Sequence, residues 1–492
     1  MPLRARSSAT NRGCPMSHPL LRELPSVGVL LDDPAVARHA VGRRRGWVTR
    51  VVQGVVDGLR RELGRGEGDL PADRVQLLDE ARRRIDVEVA RLTSPASRRV
   101  INATGVVVHT NLGRSCWPER AVRWASEVAA HNSDLEYVLE TNRRGHRGRK
   151  VEEKLALLAG SEDALIVNNN AAAVWLTTRH LTRGGPLVLS RGEVVAIGGS
   201  FRLHEILAET HCELVEVGTT NRTSLADYEA ALAPGATIMK VHRSNFTVTG
   251  FTEEVAVAEL ARLARRHGAR LIYDAGSGAL FPFGDLDLPA EPTLAEDVAT
   301  GADLITCSGD KLLGGCQAGI ILGSHEEIAA LRQHPMRRAF RVDKTTLAAL
   351  DAVLTLYLEA EDVPPLPTLE NLARSVDDLE AAAADLAADL GGDMPAGWTV
   401  ATVGAVASVG GGSFSDAEVP TQLVQWQGPR DELEAVHQLL RHGDPAVVAR
   451  ISQDGLGLDL RTIAASEYPL VTAAMRAAWT QLNAQTTRTE RR

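Results

Sequence analysis

The chain has 492 residues, too many for one hydrophobic core, so two or three domains are expected. Its apolar fraction of 44% and charged fraction of 24% are those of a soluble globular protein, and no run of about 18 apolar residues is available to cross a membrane. A net charge of −9 excludes a general attraction to polyanions, and the five scattered cysteines (Cys14, Cys116, Cys212, Cys307, Cys316) lack zinc spacing, which points to a reducing compartment, the cytoplasm, and to no structural metal.

The charge is uneven. Residues 1–61 carry eleven arginines against four acidic groups, a net +7 that suits either a local anionic partner or a solvated arginine-rich face. The first residues, "MPLRARSSATNRG", lack the apolar segment of a secretory signal and read as a frayed tail, with a transit peptide as the weaker alternative. Residues 18–62 read as helical, with Val48, Val51, Val52, Val55, Val56 and Leu59 on one face at spacings of three and four. "GRGEGDLP" (64–71) reads as a linker. A second helix is expected over 72–92, with Val75, Leu78, Ala81 and Ile85 as its apolar stripe.

From about residue 160 short β-branched runs alternate with helical patterns such as "EEVAVAELARLARRHG" (253–268). Seven strands are expected: "ALIV" (164–167), "PLVLS" (186–190), "ELVEV" (213–217), "TIMKV" (237–241), "RLIYD" (270–274), "DLITC" (303–307) and "GIILG" (319–323). This alternation predicts an α/β domain with a mostly parallel sheet, helices on both faces, and ligands beyond the carboxyl ends of the strands. Only a glycine-rich turn separates the last two strands, so that pair is expected to be antiparallel. A helix over 345–361 precedes "DVPPLPT" (362–368), a proline-rich boundary. A helix over 368–390 and strand-like runs in "WTVATVGAVASVGGGSF" and "GLGLDLRTI" then predict a small α+β domain. The expected division is a helical domain with its linker over 1–70, a linker helix and large α/β domain over 71–361, and the small domain over 362–492.

Three strand ends share one chemistry. "DLITC" runs into Ser308-Gly309-Asp310-Lys311, and a lysine so close to a buried strand is either a rim residue or a reagent. "RLIYD" ends at Asp274, and "ALIV" runs into "NNNAAAV", a small-residue turn opening a helix. Pyridoxal phosphate needs an amine to hold its aldehyde, which Lys311 can supply. It needs an anion to keep its ring nitrogen protonated, which Asp274 can supply. Its phosphate needs backbone N–H groups at a helix start, which Asn169, Asn170, Ala171 and Ala172 can provide, with the Ser308 hydroxyl as a further donor. His242, in "KVHRSN", also falls at a strand end beside the expected cofactor. Each feature alone has an ordinary reading as a rim residue or a cap; their conjunction on successive strands of one sheet is specific.

These segments resemble a known family. "LRELPSVGVLL", "INATGVVVHTNLGRS", "VNNNAAAV", "VGTTNRT", "KVHRSNF", "SGDKLLGGCQAGII" and "RRAFRVDK" are similar to those of bacterial selenocysteine synthase, the L-seryl-tRNA(Sec) selenium transferase family, over about residues 18–470. The resemblance implies a fold-type-I pyridoxal phosphate domain, a small carboxyl-terminal domain, an amino-terminal domain that contacts tRNA, and a homodecamer built from dimers. It implies conversion of seryl-tRNA(Sec) and selenophosphate to selenocysteinyl-tRNA(Sec) by β-elimination and selenium addition. Lys311 would take the Cα proton, and Asp310 is a candidate to assist departure of the hydroxyl. Arg114, Arg338 and Arg341 match the family's anion-binding arginines, and Arg147 is a further candidate. The segment before Arg147 departs from the family's usual Gly-Lys-Arg-Gly-Ser-Arg and reads Asn142-Arg143-Arg144-Gly145-His146-Arg147. The competing readings are a pyridoxal phosphate lyase acting on a small amino acid or amino sugar acid without tRNA, and a non-enzymatic, cofactor-bearing RNA-binding or regulatory protein. Salt-sensitive tRNA binding that needs residues 1–62 separates the first reading from the lyase.

Overall fold

The computed structural model describes residues 19–65, 73–197, 201–243, 246, 248–286, 288, 291–411 and 418–490. The expected tail, most of the expected linker, Cys14, and parts of "KVHRSNF" and "SVGGGSF" lie outside the described residues. Two compact units divide the chain, Met1–Arg98 and Arg99–Arg492.

The first unit is helical. Ser26 caps Val27–Asp32 by accepting from the Val29 N–H, and Asp73 caps Arg74–Thr93 by accepting from the Gln76 N–H. Helix Arg45–Arg65 buries Val48, Val51, Val52, Val56, Leu59 and Leu63, close to the expected face. Helix Arg74–Thr93 buries Leu77, Ala81, Ile85 and Val89. Of the expected stripe, Ala81 and Ile85 are buried and Leu78 packs against the core, while Val75 is 69% exposed and Leu77 and Val89 complete the buried face. Both helices share one apolar cluster with Leu30 and Val36. The expected boundary at residue 70 is corrected accordingly, because the helix expected to link the domains supplies Leu77, Ala81, Ile85 and Val89 to the first unit's core.

In the second unit seven strands form one sheet: β1 (Asp163–Val167), β2 (Pro186–Ser190), β3 (Glu213–Val217), β4 (Thr237–Val241), β5 (Arg270–Gly276), β6 (Leu304–Ser308) and β7 (Gly319–Gly323), in the order β1-β7-β6-β5-β4-β2-β3. The strands are those expected, within a residue or two. β7 runs antiparallel to both β6 and β1, and the other pairings are parallel. The central strands are apolar on both sides. Ile166, Tyr273, Ile305 and Ile320 enter one core, while Leu189, Met239 and Ile272 enter another. Helix Lys344–Glu359 packs with Glu119–Ala130 over the first of these faces.

A second sheet has five strands, in the order Val100–Ala103, Ala446–Ser452, Gly455–Asp459, Val419–Gln427, Thr399–Ala407. Its first strand comes from the start of the unit and pairs in parallel with Ala446–Ala449. A cut at residue 362 therefore divides this sheet. Trp426 and Trp479 meet edge to face in its core, with ring centroids 6.1 Å apart. The single helix expected over 368–390 is two, Pro367–Ala373 and Val376–Gly391. Arg374 ends the first and donates to the Ile463 carbonyl at 2.9 Å, and Ser375 caps the second, accepting from the Asp378 N–H. Among the described residues no helix is long and apolar enough to cross a membrane, and no cluster of three His, Cys, Asp or Glu side chains could hold a metal ion.

Candidate active site

β5 and β6 are parallel neighbours, so their carboxyl ends open on the same edge. Their register shifts between Asp274 and Gly276, a bulge that turns the chain just after the carboxylate. Gly278 has φ +74°, and a Cβ there would stand 2.6 Å from the Ser308 carbonyl oxygen. That close approach lets the Leu312 N–H donate to Ser277 at 3.1 Å and fastens the lysine turn to the end of β5. The turn closes on itself through Gly314 N–H to Lys311 O and Gly315 N–H to Gly309 O, both 2.9 Å.

Asp274 and Lys311 are both buried. Asp274 Oδ1 accepts from Asn170 Nδ2 at 2.9 Å and from Thr306 Oγ1 at 3.0 Å. Burial pushes its pKa up, opposed by those two hydrogen bonds and by the charges of Lys311 and His242. Burial pulls the Lys311 pKa down, opposed by the Asp274 charge and reinforced by the Arg114 guanidinium. A lysine so placed reaches its free-amine form at lower pH than a surface lysine, as a nucleophile for a carbonyl requires.

The helix expected to cradle a phosphate is Asn170–Thr182. Asn169 is its cap, its side chain accepting from the Ala172 N–H at 2.9 Å. The N–H groups of Asn170 and Ala171 have no acceptor among the described residues, so two donors stand free at the positive end of the helix. The Asn170 side chain turns instead to Asp274, a task the sequence did not signal. Gly319 lets β7 approach this corner: a Cβ there would lie 2.1 Å from the Asn169 carbonyl oxygen. Lys311, Asp274, the free N–H groups and Ser308 together fit pyridoxal phosphate.

Asp310 and Arg114 pair with each other, Asp310 Oδ2 to an Arg114 guanidinium nitrogen at 2.8 Å. Ser115, next in sequence, donates its hydroxyl to the Asp310 and Lys311 carbonyls at 2.9 and 2.8 Å. His242 donates its backbone N–H to the Asp274 carbonyl at 2.9 Å, and its ring stands 3.4 Å from Glu291. Burial lowers the ring's pKa, but Glu291 outweighs it and the net shift is upward.

Arg147, Arg338 and Arg341 meet around a cavity of about 280 Å³, joined by Arg144, Arg332, Arg337 and a single acid, Glu136. Arg114 does not line it. A larger cavity of about 650 Å³ lies in the first unit, lined by Trp47, Val51, Val55 and Arg84 among others, and contains none of the expected site residues. The sequence reading missed Thr306, Arg337 and Glu136. Thr306 has a visible signal, a polar residue inside a fully buried strand run; Arg337 is adjacent to an expected ligand; Glu136 carries no local signal.

A family model described as L-seryl-tRNA selenium transferase matches residues 100–464. The chain is 43% identical over 466 residues to the L-seryl-tRNA(Sec) selenium transferase of Solidesulfovibrio magneticus, covering 93% of this chain and 97% of that one. It is 41% identical over 459 residues to the protein of the same name from Geotalea daltonii, covering 93% and 98%. Among solved structures, D-glucosaminate-6-phosphate ammonia-lyase aligns with a TM-score of 0.56 at 20% identity, over 79% of this chain and 97% of that one, a likeness of fold.

Proposed function

This chain belongs to the L-seryl-tRNA selenium transferase family, and we propose that it converts seryl-tRNA(Sec) to selenocysteinyl-tRNA(Sec) with pyridoxal phosphate as cofactor and selenophosphate as selenium donor. The observation that carries the reading is the buried pair of Lys311 and Asp274 on adjacent strand ends, beside a helix start with two free N–H groups.

Lys311 would hold the cofactor, Asp274 would supply the anion for its ring nitrogen, and the backbone of Asn170 and Ala171 with the Ser308 hydroxyl would hold its phosphate. Bound there, pyridoxal phosphate supplies an electron sink for the charge left at the seryl Cα. The Lys311 amine takes the Cα proton and becomes the ammonium nearest the reacting atoms. Asp310 already accepts from Arg114, so its carboxylate is an acceptor, and the proton for the departing hydroxyl comes from Lys311. Asp310 then acts as a positioning residue that holds Arg114 against the lysine turn. His242 supports the Asp274 end of the site through its backbone bond. Arg147, Arg338 and Arg341 present planar, bidentate donors to the selenium donor's oxygens. The basic amino-terminal unit takes up the tRNA, and the protein works in the cytoplasm as a homodecamer.

The test uses the cofactor's visible absorbance. Seryl-tRNA(Sec) is expected to change the spectrum of the loaded protein while free serine leaves it unaltered, and selenocysteinyl-tRNA(Sec) forms when selenophosphate is added. A spectrum that responds equally to free serine overturns the tRNA reading; failure of borohydride to fix the cofactor on Lys311 overturns the cofactor assignment.

A further inference from the structure

The arginine cavity holds one acid among six guanidiniums. Glu136 precedes the short hairpin of Tyr137–Val138 and Arg143–Arg144, and its carbonyl accepts from the Gly145 N–H at 2.9 Å. Its carboxylate accepts from Arg147 Nε and from Arg144, both at 2.9 Å, and Arg341 stands 3.5 Å from the oxygen that serves Arg147. Arg332 is answered elsewhere, by Asp163 at 2.6 Å and Glu152 at 3.0 Å. Arg337 and Arg338 have no carboxylate partner among the described residues, and the Arg337 Nε is buried without an acceptor.

We propose that Glu136 is a built-in competitor for the donor's place, a specificity-determining residue that admits only a multiply charged anion, and that Arg337 is an additional ligand of that anion. The inference rests on reading this cavity as the selenium-donor site. An arriving anion needs the same N–H groups of Arg147 and Arg341 that Glu136 occupies. A monoanion exchanges one negative charge for another and gains little. A tetrahedral dianion or trianion satisfies Arg147 and Arg341 and at the same time reaches Arg337 and Arg338, which Glu136 does not touch. The displaced carboxylate keeps a partner, because Arg144 stands at the rim with a side chain 79% exposed. The exchange therefore favours charge density, which distinguishes a phosphate-like donor from the monovalent anions of the cell.

The experiment is isothermal titration of the cofactor-loaded protein with thiophosphate and, separately, with nitrate. Glu136→Gln is expected to bind thiophosphate tenfold or more tightly than the unmodified protein and to let nitrate compete, and the KM for selenophosphate should fall by a similar factor. Glu136→Asp, which keeps the charge but shortens its reach, should tighten binding by a smaller factor. Unchanged or weaker thiophosphate binding in both variants means that Glu136 merely positions the arginines, and overturns the inference. Arg337→Ala should weaken thiophosphate binding tenfold; an unaffected affinity removes Arg337 from the site. Arg338→Ala tests the premise by itself: if it leaves thiophosphate binding intact, the cavity is not the donor site, whatever Glu136 does.

Discussion

Asp274 and Lys311 are oppositely charged groups in a place where burial disfavours both charges, and each limits the other's loss. Asp274→Asn keeps an oxygen for Thr306 and Asn170 but removes the charge that raises the Lys311 pKa. The lysine then gives up its proton at lower pH, so the acidic limb of the pH–activity profile should move down. Turnover should fall about a hundredfold or more because the ring nitrogen loses its anion. Cofactor absorbance and a pH series of single turnovers check both; an unshifted acidic limb contradicts the coupling. Both residues were legible in the sequence because strand ends advertise chemistry. Glu136 was not, since its partners lie as far away as Arg341 and only the folded chain brings them within reach.

Elements place these groups, and one glycine shows how little clearance they have. A methyl at Gly319 would press on the Asn169 carbonyl, backbone against backbone, so Gly319→Ala must push the start of Asn170–Thr182 away from β7. The expected result is a lower melting temperature and a cofactor affinity reduced tenfold or more, read by thermal denaturation with and without added pyridoxal phosphate; an unchanged cofactor affinity removes the helix start from the site. The seven strands were legible because buried parallel strands are continuous β-branched runs. Val419–Gln427 was not, since its sequence mixes apolar and polar residues and carries a proline. The exposure of Val75 in Arg74–Thr93 has a similar cause. Val75 and Leu77 both fit a helical stripe that runs on through Ala81 and Ile85, and only packing against Arg45–Arg65 chooses between them.

The molecule divides at Arg98, and where it is cut should matter. Removing residues 1–98 is expected to leave Arg99–Arg492 folded and able to take up cofactor, while salt-sensitive tRNA binding is lost. Removing only 1–70 leaves the Leu77, Ala81, Ile85 and Val89 face of one helix without its partner helix, and that product should aggregate. Size-exclusion chromatography and tRNA binding at two salt concentrations check both, and equal solubility of the two products contradicts the boundary. The sequence announced the basic amino-terminal end but not its extent, because the unit's apolar contacts jump across residues that read as a linker. The seating of Val100–Ala103 beside Ala446–Ala449 has a consequence for biosynthesis. A nascent polypeptide emerging from the ribosome carries that strand with nothing to pair with until Ala446–Ala449 has also emerged. Assembly of the smaller sheet therefore waits on a distant part of the chain, and a prematurely terminated chain that stops short of Ala446 exposes an unsatisfied edge to chaperones.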